Sequence, residues 1–422
     1  MESPKSRYLF IDLNSYFATG EQQANPKLRG RPIGVCEHSG GLILAPSREA
    51  KKFGVKTGMP TWEARKICPG IVFTVTNPNQ IRALTARFYR IAEQYSADIE
   101  HLSVDEVSIN LTEVCFSWSE AIEIAKEIKL AIKRDMGEWV TASIGIAESR
   151  LLAKIGTDLQ KPDGLVLITD EPGIYDGAKV VSVPELYDLL ELEDVPGIGW
   201  RTARNLGQKG IKTLRELSAV PVGTLHAWFG IQGVWLFDLS HFQDAWRDVD
   251  LDRREAKSIG HQFSLSKRNA LYARKEVFGL LWKLTERVTA RLRKQDLLAG
   301  SISTYVRYAT GGGKGGSKRL GDYYGDSATL MKVADQLLED IDLRCGITYV
   351  AVTVHDLKPV TGQASLFEEY DRGGKVSETI DKINNRYGEL TIIHAPTLAA
   401  GDVAKDTVGF GRTRERHDWQ ED

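Results

Sequence analysis

Two hydrophobic periods alternate along the chain. Tyr8-Leu9-Phe10-Ile11 is an unbroken apolar run that ends in a carboxylate, the pattern of a buried strand closing at Asp12. Asn14 or Ser15 then stands where a following helix needs its cap. From Glu21 to about Asn77 the residues read as a strand, a Gly40-Gly41 turn, a second strand and a helix stopped by Gly54. Helical spacing returns over Ile81 to Tyr95 and again over Ser117 to Met136. In the latter, Ala121, Ile124, Ala125, Ile128, Ala131 and Ile132 recur on one side, with Lys126, Lys129 and Lys133 opposite. Between those helices His101 to Leu111 is β-rich. As a single strand it would put Ser103, Asp105, Val107, Ile109 and Leu111 on one face. Thr141 to Ala147 predicts another strand. The second half reads as strand (Lys257 to Ser264), helix (Ala273 to Gln295), strand (Ser301 to Tyr308), loop, helix (Ser327 to Ile341) and strand (Thr348 to His355). A helix at Thr379 to Tyr387 and an extended stretch at Leu390 to Ile393 follow.

At 422 residues, 42% hydrophobic and 27% charged, the chain has material for two to four ordinary globular domains. No run reaches the roughly 18 to 20 apolar residues that cross a bilayer, and Met1 to Lys5 has no apolar signal core, so a cytoplasmic protein with no membrane partner is expected. Cys36, Cys68, Cys115 and Cys345 lack paired spacing and read as reduced thiols, not a zinc site or a disulfide framework. Net charge is only −2, but it is unevenly spread. Arg253 to Arg319 holds sixteen Lys or Arg against four acids, +12, which leaves −14 for the remainder. Such a concentration is less a solvated face than a surface for tracking phosphates.

Asp-Glu is usually a solvated strand end. Asp105, however, shares its face with aliphatic side chains, where a carboxylate needs a compensating cation. Asp12 lies in a similar context. Two such strands side by side would bring Asp12, Asp105 and Glu106 together, enough oxygen for two Mg²⁺ ions roughly 3.5 to 4 Å apart, an arrangement suited to phosphoryl transfer.

Phe10-Ile11-Asp12-Leu13-Asn14-Ser15-Tyr16-Phe17-Ala18 and Leu102-Ser103-Val104-Asp105-Glu106-Val107 resemble the two metal-binding motifs of the Y-family translesion DNA polymerases, in the UmuC/DinB branch. The resemblance implies an α+β, right-hand polymerase: palm over 1 to 171 with small fingers inserted at about 22 to 77, thumb over 172 to 243, linker over 244 to 256, a β-α-β-β-α-β little finger over 257 to 358, and a tail over 359 to 422. Asp12, Asp105 and Glu106 are then the catalytic acids, with the Leu13 carbonyl as a further metal ligand. The amides of Ser15, Tyr16 and Phe17, together with Arg48, Lys51 and Lys161, would receive the triphosphate of a dNTP. Arg48 stands where several relatives have Tyr, and Ser149-Arg150 where relatives usually carry Asn-Lys. Phe17, five residues after Asp12, matches the steric gate against ribonucleotides, with Tyr16 the competing ring.

The resemblance extends to DNA grip. Asp194 to Leu206 resembles a helix-hairpin-helix, in which Gly197 and Gly199 let the backbone approach a primer-template phosphate. A plain turn between packed helices is the alternative. Phe229 to Leu236 looks like the closing thumb segment. Gly311 to Arg319 lacks the ending of a phosphate-cradling P-loop and reads instead as a mobile loop whose Lys314, Lys318 and Arg319 reach DNA. Gln363-Ala364-Ser365-Leu366-Phe367 is similar to the bacterial sliding-clamp peptide, with Gln363, Leu366 and Phe367 as anchors and Ala364 in place of the commoner Leu. Accessory mutagenesis subunits or a recombinase filament are further partners of such enzymes. Nothing resembles a proofreading exonuclease. Two rival readings are a non-catalytic DNA- and clamp-binding scaffold, which the presence of all three acids disfavours, and a helix-hairpin-helix base-excision enzyme, which leaves the acid motifs unexplained.

Overall fold

The computed structural model describes residues 6–36, 41–244, 256–360, 368–387 and 391–400. The chain divides into two compact units, one extending to residue 249 and one spanning 250 to 406.

The first unit is built on strands β1 (Tyr8–Leu13), β2 (Ile33–Cys36), β3 (Ile43–Pro46), β4 (Val72–Val75), β5 (Ile99–Ser103), β6 (Glu106–Asn110), β7 (Ala142–Ala147), β8 (Leu165–Ile168) and β9 (Lys179–Val181). Its helices are α1 (Tyr16–Ala24), α2 (Arg48–Lys51), α3 (Thr61–Ile67), α4 (Pro78–Ala92), α5 (Trp118–Met136), α6 (Arg150–Asp158), α7 (Val183–Leu189), α8 (Trp200–Gln208), α9 (Leu214–Ser218), α10 (Val222–Phe229) and α11 (Ile231–Ser240). Six strands make one sheet in the order β5-β6-β1-β7-β8-β9, and β3-β2-β4 make a separate small one.

β1 lies inside the large sheet and, Asp12 apart, is apolar, the composition expected of a strand covered on both faces. Alternation sends Leu9, Ile11 and Leu13 into a core shared with α4 and α5, while Phe10 joins a second core formed with α6 and the helices α7 to α11. The α5 helix is the packing helix its pattern predicts: the Ser117 hydroxyl caps it by accepting from the Glu120 amide, and Ala121, Ala125, Ile128 and Ile132 are buried. On the other face α6 lies unusually close to the sheet. A Cβ on Gly145 would stand 1.9 Å from the Ala153 carbonyl oxygen, and one on Gly156 would stand 3.1 Å from the Gly145 Cα. Gly145→Ala is therefore expected to push α6 off β7 at a cost of about 3 kcal/mol or more, seen as a melting point several degrees lower; an unchanged melting point would show that the helix has room to move.

The His101 to Leu111 run is not one strand. It is a hairpin, β5 and β6, with Ser103 opposite Glu106 and a turn at Val104-Asp105. The apolar alternation predicted for Val107, Ile109 and Leu111 holds, but Asp105 sits in the turn and not on their face. Two residues of a tight connection within a β-rich run leave no interruption in the hydrophobic pattern, so the turn was invisible to periodicity.

The second unit carries β10 (Ser258–Ser264), α12 (Arg274–Lys294), β11 (Leu297–Tyr308), β12 (Gly313–Tyr324), α13 (Ser327–Gln336), β13 (Ile347–Pro359) and α14 (Glu368–Tyr387). The sheet order is β10-β13-β11-β12. Ile302, Val306, Val350, Val352 and Val354 pack with Leu280, Leu284, Val288 and Leu330 of α12 and α13. Gly311 to Arg319 is not a mobile loop: a tight turn ends at Gly312, and Gly313 onward is strand β12, paired to β11. Glycines survive there because a Cβ on Gly313 or Gly315 would collide with the Tyr305 ring and the β11 backbone. The tail helix begins at Glu368, earlier than expected, and no strand forms at 391–393. Arg293 of α12 holds Asp381 of α14 in a paired bridge at 2.6 and 2.8 Å, and His394 stacks on Trp282 at 4.5 Å.

The four cysteines are free, three of them buried. Among the described residues no helix is long and apolar enough to cross a membrane. Most of the segment from 244 to 256, and the whole pentapeptide Gln363 to Phe367, lie outside the described residues.

Candidate active site

Strand register assembles the acids. Asp12 pairs with Glu106 across β1 and β6, and residues opposite each other in an antiparallel pair point to the same side. That side is the one holding Phe10 and α6. Asp105 follows from the hairpin turn, which is pinned to β1 by its carbonyl accepting the Leu13 amide at 2.9 Å. After Leu13 the chain turns sharply: Ser15 is left-handed, at φ 50° and ψ 44°, and α1 starts at Tyr16. The first-turn amides of α1 have no carbonyl one turn back within the helix, so the bend aims backbone donors at the end of β1.

A cleft of about 990 Å³ opens here, lined by the Asp12 to Phe17 bend, Asp105, Arg48 and Lys51 of α2, and Lys161. It gathers most of the acids and triphosphate cations expected from sequence.

Its charges are strongly coupled. Lys154 of α6 donates to Asp12 Oδ2 at 2.7 Å and to Glu106 Oε1 at 2.5 Å, and Lys161 donates to the same Asp12 oxygen at 2.8 Å. Burial alone would push Asp12 up, but the two ammoniums hold it below the ordinary carboxylate range. Asp105 behaves oppositely. Its burial, with Asp12 and Glu106 nearby, outweighs the Ser103 hydroxyl donating at 2.5 Å and pushes it up to about 6. The Lys51 ammonium has no hydrogen bond or ion pair among the described residues; partial burial, then the positive charge of Lys161, lowers its pKa.

Among the described residues no three His, Cys, Asp or Glu side chains converge as a ready-made metal cage. Asp12 and Glu106 converge on the Lys154 ammonium instead. The donor set nonetheless fits a magnesium ion bound jointly by protein and substrate: few carboxylates, hard oxygen, and one acid, Asp105, whose pKa burial and its acid neighbours raise and which has no ion-pair partner among the described residues.

Arg48 is turned toward the sheet. It donates to Thr141 Oγ1 at 2.6 Å and to the Trp139 carbonyl at 3.3 Å, while its buried Nε has no partner among the described residues. Thr141 passes the contact to Asn14 Oδ1 at 3.0 Å, which also accepts the Asp163 amide at 2.7 Å. One network thus links α2, β1 and the loop bearing Lys161. The two rings after Ser15 differ in role. Tyr16 is consumed by packing, its hydroxyl donating to the Ile81 carbonyl at 3.0 Å beside Thr85 at 2.9 Å; Phe17 sits edge-on to it at 5.8 Å.

Lys154 and Thr141 were not singled out from sequence, and Asn14 only as a candidate helix cap. Lys154 had a readable signal: it is a lysine three residues after Leu151 and one before Ile155, on the apolar face of a short helix. The Ser149-Arg150 departure also gains an account. Ser149 caps α6, Arg150 pairs with Glu100, and the Asp244 carboxylate accepts the Arg150 and Leu151 amides at 3.0 Å each.

For DNA contact, Gly197 has φ +102°, a conformation that favours glycine, and a Cβ there would stand 3.0 Å from Leu239. Gly199 precedes α8 with open space around it, beside exposed Trp200. In the second unit Lys314 and Lys318 share the helix-covered side, bonding the Asp340 carbonyl at 3.0 Å and Gln336 at 3.1 Å. Arg319 projects from the open side, near Asp356 at 3.7 Å, with Tyr305 and Arg307 on the neighbouring strand. Arg307 lies over the Tyr349 ring at 4.7 Å.

Comparison with known proteins gives a consistent family. Residues 11–158 match the impB/mucB/samB family, 256–366 match that family's C-terminal domain, and 193–241 match the DNA polymerase-iota thumb domain. DNA polymerase IV of Moorella thermoacetica is 31% identical over 413 residues, 96% of this chain and 99% of that protein. DNA polymerase IV 1 of Bacillus subtilis is 29% identical over 419 residues, covering 97% of each. A solved Y-family DNA polymerase chimera shares the fold, with a TM-score of 0.69 at 24% identity over 84% of this chain and 99% of that one. The chain belongs to the Y-family of DNA polymerases, as a translesion polymerase of the DinB type.

Proposed function

We propose that the cleft beside Asp12 is the nucleotidyl-transfer site of this translesion DNA polymerase, and that its substrates are primer-template DNA and a dNTP. The observation that carries the reading is the convergence of Asp12, Asp105 and the cations Arg48, Lys51 and Lys161 on one cleft, with Glu106 beside Asp12 in register. Two Mg²⁺ ions, held by Asp12, Asp105, Glu106 and the Leu13 carbonyl, would supply activation of the primer 3′-hydroxyl and charge neutralisation as pyrophosphate leaves. The chain's own residues do the rest. Lys51 and Lys161 are point charges for the triphosphate, supported by the bend amides at Ser15 to Phe17; Arg48 adds a guanidinium whose Nε has no partner among the described residues. Phe17 floors the sugar pocket.

In the same reading β2, β3 and β4 with α2 and α3 form the fingers, the large sheet the palm, and the helices from α7 to α11 the thumb. Gly197 and Gly199 contact backbone phosphate, and the second unit is the little finger. Arg319, Tyr305 and Arg307 on the open sheet face are better placed for DNA than Lys314 and Lys318, whose ammoniums bond the α13 side. The protein works in the cytoplasm.

The test is single-nucleotide insertion on an undamaged primer-template, with each dNTP offered alone. The partner of the templating base should be inserted preferentially, only with a divalent cation; binding without insertion would favour the scaffold reading. The clamp peptide has its own test. Leu366→Ala with Phe367→Ala should abolish stimulation by a sliding clamp and leave synthesis on short templates unchanged, because two apolar anchors carry such peptides. Equal clamp binding before and after would reduce Gln363 to Phe367 to linker.

A further inference from the structure

Lys154 is the cation in this site that does not line the substrate cleft. Its ammonium bridges two carboxylates on adjacent strands, Asp12 Oδ2 at 2.7 Å and Glu106 Oε1 at 2.5 Å. Lys161, by contrast, shares its ammonium between Asp12 and Asp158, each at 2.8 Å, and does line the cleft. The position of Lys154 is built into the fold. α6 is seated against β7 through Gly145 and Gly156, and the ammonium lies 4.9 Å from the centre of the Phe10 ring. The surrounding side chains leave Lys154 20% exposed and Asp12 12% exposed.

We propose that Lys154 is an internal counter-ion: it holds Asp12 and Glu106 together before metal loading and competes with the divalent cation for the same two carboxylates. The inference rests on Asp12 and Glu106 being metal ligands. The reasoning is electrostatic and steric. Without a cation between them, two carboxylates held opposite each other by strand register repel across a partly dehydrated gap. An ammonium fills that gap with hydrogen bonds as well as charge. A divalent ion needs the same oxygens at about 2.1 Å, so the ammonium must withdraw, and it then opposes the incoming charge from a short distance. Loading is therefore weak until something anionic takes up the displaced lysine, and a nucleoside triphosphate is the anion this site receives. Lys154 is a positioning residue in this account, acting through Asp12 and Glu106.

The test is Mn²⁺ binding to the full chain without DNA or nucleotide, followed by the electron paramagnetic resonance of free Mn²⁺, with melting points in chelator and in Mn²⁺. Lys154→Met keeps the length of the side chain and removes the charge. It should bind Mn²⁺ roughly tenfold or more tightly than wild type, since a unit charge a few ångströms away no longer opposes the ion. It should also melt lower than wild type in chelator and gain more from Mn²⁺. Lys154→Arg should bind no more tightly than wild type. If Lys154→Met does not fold, Lys154→Gln makes the same comparison. Unchanged or weaker nucleotide-free Mn²⁺ binding in the uncharged variant overturns the proposal; that is also the result expected of a lysine that only touches the triphosphate. Asp12→Ala separates the two levels. Loss of Mn²⁺ from Asp12→Ala alongside no effect of Lys154→Met sinks the counter-ion alone, whereas wild-type Mn²⁺ binding by Asp12→Ala overturns the metal-ligand reading and the counter-ion together.

Discussion

Asp105→Ala and Glu106→Ala are each expected to slow nucleotide addition by at least about a thousandfold, some 4 kcal/mol of transition-state stabilisation, while primer-template affinity stays within a few-fold of wild type. The separation follows from where the residues lie. Both acids stand at the β5–β6 hairpin, whereas the surfaces proposed to grip DNA belong to α8 and to the sheet of the second unit. The Asp105 variant carries an internal control against misfolding. Burial and two neighbouring acids push its carboxyl up, so the charged form is a local liability in the metal-free chain. Removing it should leave the melting point in chelator unchanged or slightly higher, although activity is lost. Glu106→Ala should behave differently, because it strips one partner from Lys154, and a lower melting point in chelator is expected. Extension at the wild-type rate by either variant would remove these acids from the chemistry.

Phe17→Ala is expected to raise ribonucleotide incorporation about a hundredfold, close to 2.7 kcal/mol of lost discrimination, with a much smaller fall in deoxynucleotide addition. The ring lies in the cleft wall next to the Asp12 bend and is only 2% exposed. It offers no hydrogen-bond partner, so a sugar packed on it meets both a steric and a desolvation penalty for an extra hydroxyl. Tyr16 supplies the contrast. Its hydroxyl is bonded to the Ile81 carbonyl and Thr85, so Tyr16→Phe should cost stability and leave sugar selection alone. Steady-state insertion of matched rNTP and dNTP pairs reads both variants. Wild-type selection by Phe17→Ala would move the gate to another residue.

Much of this site could be read before the fold was known, for physical reasons that can be named. An apolar strand running straight into Asp12 is a strong local signal, because burial on both faces leaves few other meanings for a terminal carboxylate. The α5 helix follows from periodicity alone. What escaped the sequence was mostly two-residue geometry and pairing between segments distant in sequence. The Val104-Asp105 turn interrupts no pattern, and β12 is poor in β-formers because its glycines answer to the Tyr305 ring on the next strand. Local propensity therefore placed Lys314 and Lys318 in a loop, when their direction is set by register with β11. Lys154 was missed because its partners lie 142 and 48 residues away in sequence. Arg48 was expected at the phosphates, and its bonds to Thr141 and Trp139 come from the turn that leads into β7, more than ninety residues distant.

The central claim, that these acids and cations form a polymerase site tolerant of damaged templates, is tested most directly by running-start primer elongation with the whole chain. One template would be intact and the other would carry a single abasic site, with Asp105→Ala assayed in parallel. The account predicts that wild type elongates on both templates and continues past the lesion, and that Asp105→Ala binds both but adds nothing. A wild-type chain that binds both templates and adds no nucleotide to either would contradict it.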